Sequence, residues 1–172
     1  MGREGGGGGG GGGGISAKAM GEIRKHEKEI QNSKVENYFY IDRETGEVLD
    51  SGKGTAGKVM VDSTIMRQNP GHVFTHNHPG KYDAPLSASD ARSLVSGLGR
   101  GSKKAEVRAI TRSGTVYRAR ITKPVAHVGN AIAGINSGWG NMVELTDQRS
   151  GRWVTVKGWG IDIPGLQYRI DK

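Results

Sequence analysis

Residues 74–90 read FTHNHPGKYDAPLSASD, and the rest of the chain is organised around this stretch. His76 and His78 form an H-x-H pair with Pro79 directly after it. Residues i and i+2 of a strand point to the same face, so both imidazoles can reach one metal ion. Proline cannot continue a sheet ladder, so Pro79 ends the strand. Eight residues separate His78 from Ser87, which opens an S-x-x-D unit ending at Asp90. A serine followed three residues later by an acid predicts a helix N-terminus. Asp90 then sits in the first helical turn, where it can point back at the end of the strand. Two imidazoles and one carboxylate make a three-ligand site with an open fourth position, the way a catalytic zinc is held rather than a closed structural one. Read alone, S-x-x-D is also a common helix cap in which Ser87 and Asp90 bind backbone amides and nothing else.

H-x-H-P, eight intervening residues and S-x-x-D together resemble the signature of the JAB/MPN (JAMM) zinc metallopeptidases. That pattern also asks for a glutamate upstream, just before a central strand. Glu36 stands there, ahead of Asn37-Tyr38-Phe39-Tyr40-Ile41-Asp42. The order of acid, strand, HxHP and SxxD resembles in particular the JAB-like domains of phage structural proteins and bacterial toxins, and the resemblance covers residues 36–121. It implies an α/β or α+β fold, a mixed sheet flanked by helices of the JAB/MPN (cytidine deaminase-like) type. It also implies Zn2+ on His76, His78 and Asp90, with a protein or peptide as substrate. Zinc lowers the pKa of a bound water to about 7. A carboxylate must then take the proton and later return it to the leaving amine, the role that falls to Glu36. A hydroxyl beside the metal can donate to the oxyanion, the role that falls to Ser87. The implied reaction is hydrolysis of a peptide or isopeptide bond. Some members of the family keep the fold for assembly without catalysis, so a non-catalytic structural domain is the first alternative.

The chain has 172 residues, enough for one domain with a real core. It contains no cysteine, which excludes disulfides and thiolate zinc sites and fits a reducing compartment. A cytoplasmic location is expected, or a place in a virion or secreted protein as part of a larger chain. No apolar run approaches the ~20 residues of a membrane helix, and no membrane partner is expected. Residues 1–90 carry 11 basic and 12 acidic side chains, whereas residues 91–172 carry 14 and 5, so the basic character lies in the second half. Gly5 to Gly14 is an unbroken glycine run, read with residues 1–14 as a disordered linker or tether. Residues 15–125 form the JAB/MPN-like domain, and residues 126–172 a β-rich extension packed on it.

Hydrophobic spacing predicts a helix over Ile15 to Gln31, with Ile15, Ala19, Ile23, His26 and Ile30 on one stripe and the Glu and Lys residues on the other faces. Strands are expected at Tyr38 to Asp42, Glu47 to Leu49, Val59 to Val61 and His72 to His76. A helical turn is expected near Asp62 to Gln68. A helix from Ser87 to Leu98 buries Ala88, Ala91, Leu94, Val95 and Leu98. The loop from Asn77 to Leu86 either shapes a substrate groove or merely connects. Glu106 to Thr111 and Thr115 to Ile121 read as a hairpin, with Arg118 and Arg120 on its solvent face. Further on, a helix over Ala126 to Ile135, a hairpin of Met142 to Thr146 with Trp153 to Lys157, and a last strand at Gln167 to Ile170 are expected. Trp139, Trp153 and Trp159 read as a small satellite core or as an aromatic docking surface.

Arg92 to Lys123 holds nine basic residues and one acid, Glu106. Such a segment suits an acidic protein partner, nucleic acid phosphates or plain solvation. A metal-dependent nuclease or nucleic-acid binder is therefore the second alternative. The letters His76-Asn77-His78 do not support an HNH nuclease, because the residues of that motif are spread over a hairpin and a helix.

Overall fold

The computed structural model of the chain describes residues 14–55, 63–102, 104–145 and 151–172. Among them seven strands form one mixed sheet in the order β2-β1-β3-β4-β5-β7-β6. The strands are β1 (Asn37–Ile41), β2 (Val48–Lys53), β3 (Val73–His78), β4 (Ala105–Thr111), β5 (Val116–Ile121), β6 (Val154–Gly158) and β7 (Ile161–Asp171). β3 and β4 run parallel, and the remaining neighbours are antiparallel. The helices are α1 (Ala17–Ile30), α2 (Ser63–Gln68), α3 (Ala88–Ser93) and α4 (Val128–Leu145). The fold is α+β, a mixed sheet flanked by helices. Most of the glycine run and the expected strand at Val59 to Val61 lie outside the described residues, as does Thr146.

Strand alternation divides the helices between the two faces of the sheet. Tyr38 and Tyr40 of β1, Phe74 of β3, Val107 and Ala109 of β4 and Ala119 and Ile121 of β5 join one apolar cluster with Ala91, Leu94, Val95 and Leu98 and with Ile135 and Trp139 of α4. Ile41 and Val73 point to the opposite face, where Ile23 of α1 packs on them. Ser16 caps α1 by accepting the Ala19 N–H at 3.0 Å, and its own hydroxyl donates to the Glu44 carbonyl at 2.6 Å. At the start of β3, Gly71 has φ +90, and a Cβ there would stand 2.9 Å from the Lys104 carbonyl. No other residue would fit that corner without a shift, so the entry angle of the strand that carries His76 and His78 depends on this glycine.

The helix expected from Ser87 is α3 followed by a π-helical turn, Leu94–Leu98. The Gly99 N–H reaches back five residues to the Leu94 carbonyl at 2.9 Å. The expected hairpin of Met142 to Thr146 with Trp153 to Lys157 does not form. Met142 lies inside α4, and β6 pairs with β7 instead. Gly134 and Gly138 both lie inside α4, which runs past the expected end of the helix at Ile135. In the fold a Cβ on either would stand 2.6 and 2.2 Å from the carbonyls of Gly160 and Trp159, so these glycines let α4 lie directly on the β6–β7 turn. The three tryptophans form neither a satellite core nor a shared surface. Trp139 is in the main core, Trp153 lies under three guanidiniums, and Trp159 is half exposed.

The expectation that Arg118 faces solvent is also overturned. Arg118 is 6% exposed, and its Nε and Nη2 donate to Glu106 at 2.8 and 3.2 Å. Its Nη1 donates to Asp171 at 3.0 Å. Glu106 also accepts from Arg108, whose Nε and Nη2 donate to Glu27 at 2.7 and 3.1 Å. Thr75 of β3 donates to Glu27 at 2.6 Å. Glu27, placed by its charge on the solvent face of α1, is instead buried at 1% exposure. The face opposite the apolar cluster therefore carries a desolvated chain of alternating charges, from α1 across β4 and β5 to β7. Glu106 stays ionised against the cost of its burial because Arg118 and Arg108 hold its carboxyl below the usual range. Arg120 is half-buried, donates to Gln167 at 2.8 Å and stacks over Trp153.

Breaking one partner of such a chain leaves an uncompensated buried charge, at a cost of about 3–5 kcal/mol. Arg118→Glu should lower Tm by on the order of 10 °C in a thermal melt. Arg112→Glu, at an exposed position on the hairpin turn, should stay within about ±0.5 kcal/mol of wild type. Equal melting temperatures for wild type and Arg118→Glu would contradict the burial described here.

Candidate metal centre

His76 and His78 leave the end of β3 on the side of the sheet that α3 covers. Asp90 comes back at them from the first turn of α3. Their ligand atoms lie within 4.8 Å of one another. The two Nε2 atoms are 3.1 Å apart, and Asp90 Oδ1 is 3.3 Å from that of His76 and Oδ2 3.7 Å from that of His78. Zinc–nitrogen bonds of about 2.0–2.1 Å at tetrahedral angles place two ligand nitrogens roughly 3.3 Å apart. The donor set and its spacing thus fit a zinc ion. Among the described residues this is the one group of three or more such side chains so arranged.

The orientation of each ligand has a local cause. His78 Nδ1 lies 2.9 Å from the Ala84 carbonyl, which can accept but not donate. In the neutral ring Nδ1 therefore carries the proton and Nε2 presents its lone pair to the cluster, as in the usual second partner of a metal-binding histidine. The Ala84 carbonyl is held in turn by its neighbour. Asp83 accepts from the Ser113 and Thr115 hydroxyls at 2.6 and 3.1 Å, and its carbonyl accepts from Tyr117 at 3.3 Å. The loop between the motifs is thereby clipped to the β4–β5 hairpin and acts as a support for His78. The sequence offers this loop as a groove wall or a connection and carries no sign of the Asp83 support.

Ser87 and Asp90 form a reciprocal cap. Ser87 Oγ accepts the Asp90 N–H at 3.1 Å, and Asp90 Oδ2 accepts the Ser87 N–H at 2.9 Å. α4 holds the chain just before this cap, since Trp139 Nε1 donates to the Leu86 carbonyl at 2.8 Å. Burial alone would raise the Asp90 pKa, but the two histidines and the Ser87 amide outweigh it and hold the carboxyl well below the usual range. Burial works against a charge on His78. The hydrogen bonds to Asp90 and Ala84 and the charges of Asp90 and Glu36 outweigh it and raise His78 above its ordinary 6.5.

Glu36 lies at the entry of β1, and β1 runs antiparallel to β3 with Tyr38 opposite His76. Entry and exit therefore meet at one end of the sheet. Burial raises the Glu36 pKa above its ordinary value, His76 and His78 draw it down, and Asp90 pushes it up. The carboxyl thus feels all three ligand side chains. Glu44 and Glu47 are exposed and follow the other end of β1, away from the ligands. Of the basic residues between Arg92 and Lys123, Arg108 and Arg118 are spent on the buried ion chain. Among the described residues no helix is long and apolar enough to cross a membrane. Comparison with protein-family models, with curated proteins and with solved structures finds no match for this chain.

Metal uptake requires neutral imidazoles, so protons compete with zinc. About one zinc per chain is expected by titration calorimetry, with proton release on binding. Affinity should fall about tenfold per pH unit below the raised His78 value. The metal-free fold should show the opposite preference. Its His78–Asp90 attraction is fully present below 6.5 and fades as the pH rises through the raised value. Asp83→Ala should weaken zinc binding by about 10–100-fold through His78. Equal zinc content in wild type and a His76→Ala/His78→Ala variant would remove the site.

Proposed function

We propose that this chain is a zinc-dependent hydrolase of peptide or isopeptide bonds, with the fold and site arrangement of the JAB/MPN metallopeptidases that its motifs resemble. The observation that carries the proposal is the meeting of His76, His78 and Asp90 at the end of the sheet where β1 begins with Glu36. His76, His78 and Asp90 would hold the zinc. When bound, the ion supplies a nucleophilic water at neutral pH and polarises the scissile carbonyl.

The chain's own groups supply the rest. Glu36, with its pKa raised by burial, takes the proton of the attacking water and delivers it to the departing amine. Ser87 uses a lone pair of Oγ to cap α3, which leaves its hydroxyl proton to donate to the developing oxyanion. Burial of His76 and partial burial of Asp90 thin the water around the ligands, which strengthens each of these electrostatic contacts. No covalent intermediate is required, and the substrate is a protein or peptide. A nuclease is less well supported, because Arg108 and Arg118 are neutralised internally by Glu27 and Glu106 and face away from the ligand side of the sheet.

Glu36→Gln keeps the shape and removes the proton acceptor. Zinc content should be unchanged, while cleavage of a peptide library followed by mass spectrometry should slow by roughly 10²–10⁴-fold. Glu44→Gln and Glu47→Gln should match wild type. Full activity in Glu36→Gln would remove Glu36 from the mechanism. A zinc-loaded wild type that cleaves no peptide would point instead to a structural domain.

A further inference from the structure

The residue between the two histidine ligands points the other way. Asn77 faces the α1 side of the sheet and is 0% exposed. The β1–β3 ladder ends at the Tyr38–His76 pair, whereas β3 continues beside β4 as far as His78 opposite Thr111. β1 and β3 therefore part just where Glu36 and His78 would have faced each other. In that gap the Asn77 side chain takes the place of a peptide group. Its Oδ1 accepts the Asn37 N–H at 2.6 Å, and its Nδ2 donates to the Val35 carbonyl at 2.9 Å. These two backbone groups bracket Glu36. On the other side, the Glu36 N–H donates to the Thr55 carbonyl at 2.7 Å and its carbonyl accepts from Gly54 at 2.8 Å.

We infer that Asn77 is the positioning residue for Glu36: its side-chain amide bridges the parting of β1 and β3 and holds the Val35–Asn37 backbone beside the ligand pair. An amide is suited to this place because it offers an acceptor to the buried Asn37 N–H and a donor to the part-buried Val35 carbonyl, which also accepts from the Asn37 side chain at 2.9 Å. The side chain touches neither histidine ring, since strand alternation sends it to the opposite face. Asn77 thus separates two tasks within three residues, ligands on one face and the hold on the base on the other. The inference rests on the metallohydrolase reading for its consequence in catalysis, but the hold itself is a property of the fold.

The test compares wild type with Asn77→Ala, first without metal and then loaded with Co2+ as a paramagnetic probe. Hydrogen exchange at the Asn37 amide should quicken about tenfold or more, while the Phe39 amide inside the ladder keeps its rate. Co2+ should still bind, and the Ser87 amide should keep its paramagnetic shift. The Glu36 amide should lose about half of its shift or more, because it is no longer held at its distance from the ion. In the zinc form, kcat should fall by about 10–100-fold with KM little changed, and Asn77→Ala should add little to the loss in Glu36→Gln, as expected of residues acting as a unit. Asn77→Asp, which keeps the acceptor for Asn37 and loses the donor to Val35, should fall between the two and decides the matter if Asn77→Ala does not fold. Unchanged exchange at Asn37, or an unmoved Glu36 shift, overturns the inference. A wild type that binds Co2+ but cleaves no peptide overturns the peptidase reading alone, since the exchange and shift measurements still decide what Asn77 does.

Discussion

Antiparallel pairing of β1 with β3, in the register that sets Tyr38 against His76, is the constraint on which the candidate site depends. A slip of one residue would turn His76 and His78 to the α1 face and bring Thr75 and Asn77 to α3. The register is held from both sides. Tyr38, Tyr40 and Phe74 enter the large apolar cluster, while Ile41 and Val73 meet Ile23 of α1. The Glu27 carboxylate adds a polar check, because it accepts from Thr75 of β3 and from its neighbour Arg108 on β4. Each face thus rejects the slipped sheet for its own reason, one by stranding tyrosines and a phenylalanine, the other by stranding a buried charge.

The S-x-x-D unit shows why cap and ligand are not competing readings. A carboxylate has two oxygens and about four lone-pair sites. Asp90 spends part of one oxygen on the Ser87 amide and still faces both Nε2 atoms. The cap fixes the rotamer that aims Asp90 at the two imidazoles. α3 itself is short, and its position comes from elsewhere: Trp139 of α4 holds the Leu86 carbonyl, and Arg92 donates to Asn136 of α4 at 2.8 Å. The C-terminal part of the chain, which carries no ligand, therefore helps to place one.

Motif-bearing residues were legible because their spacing encodes geometry locally. H-x-H lies on one strand, S-x-x-D within one helical turn, and the alternation along β4 and β5 sorts their side chains correctly. What escaped was set by partners far away in sequence. Glu27 and Arg108 are 81 residues apart, so nothing near Glu27 distinguishes it from the solvated glutamates of α1. Alternation puts Arg118 on the correct face of β5, but nothing local shows that Glu106 and Asp171 bind it there and keep it from solvent. The helix expected over Ala126 to Ile135 continues to Leu145 as α4, past Gly134 and Gly138. They are contact residues, and the requirement they meet is made by the Trp159–Gly160 backbone, more than twenty residues further on. The π-helical turn after α3 likewise leaves no pattern in Leu94 to Leu98 that an ordinary helix would lack.

The two faces of the sheet divide the electrostatic work. On the α1 face Arg108 lies between Glu27 and Glu106 and Arg118 between Glu106 and Asp171, whereas Arg120 bonds to Gln167 and stacks on Trp153. On the α3 face the described site has two histidines against Asp90 and Glu36, and no arginine is paired with either acid. The nearby imidazoles draw the pKa of both acids down. The buried Arg108 and Arg118 are committed to the other side of the sheet, so neither is available to Asp90 or Glu36.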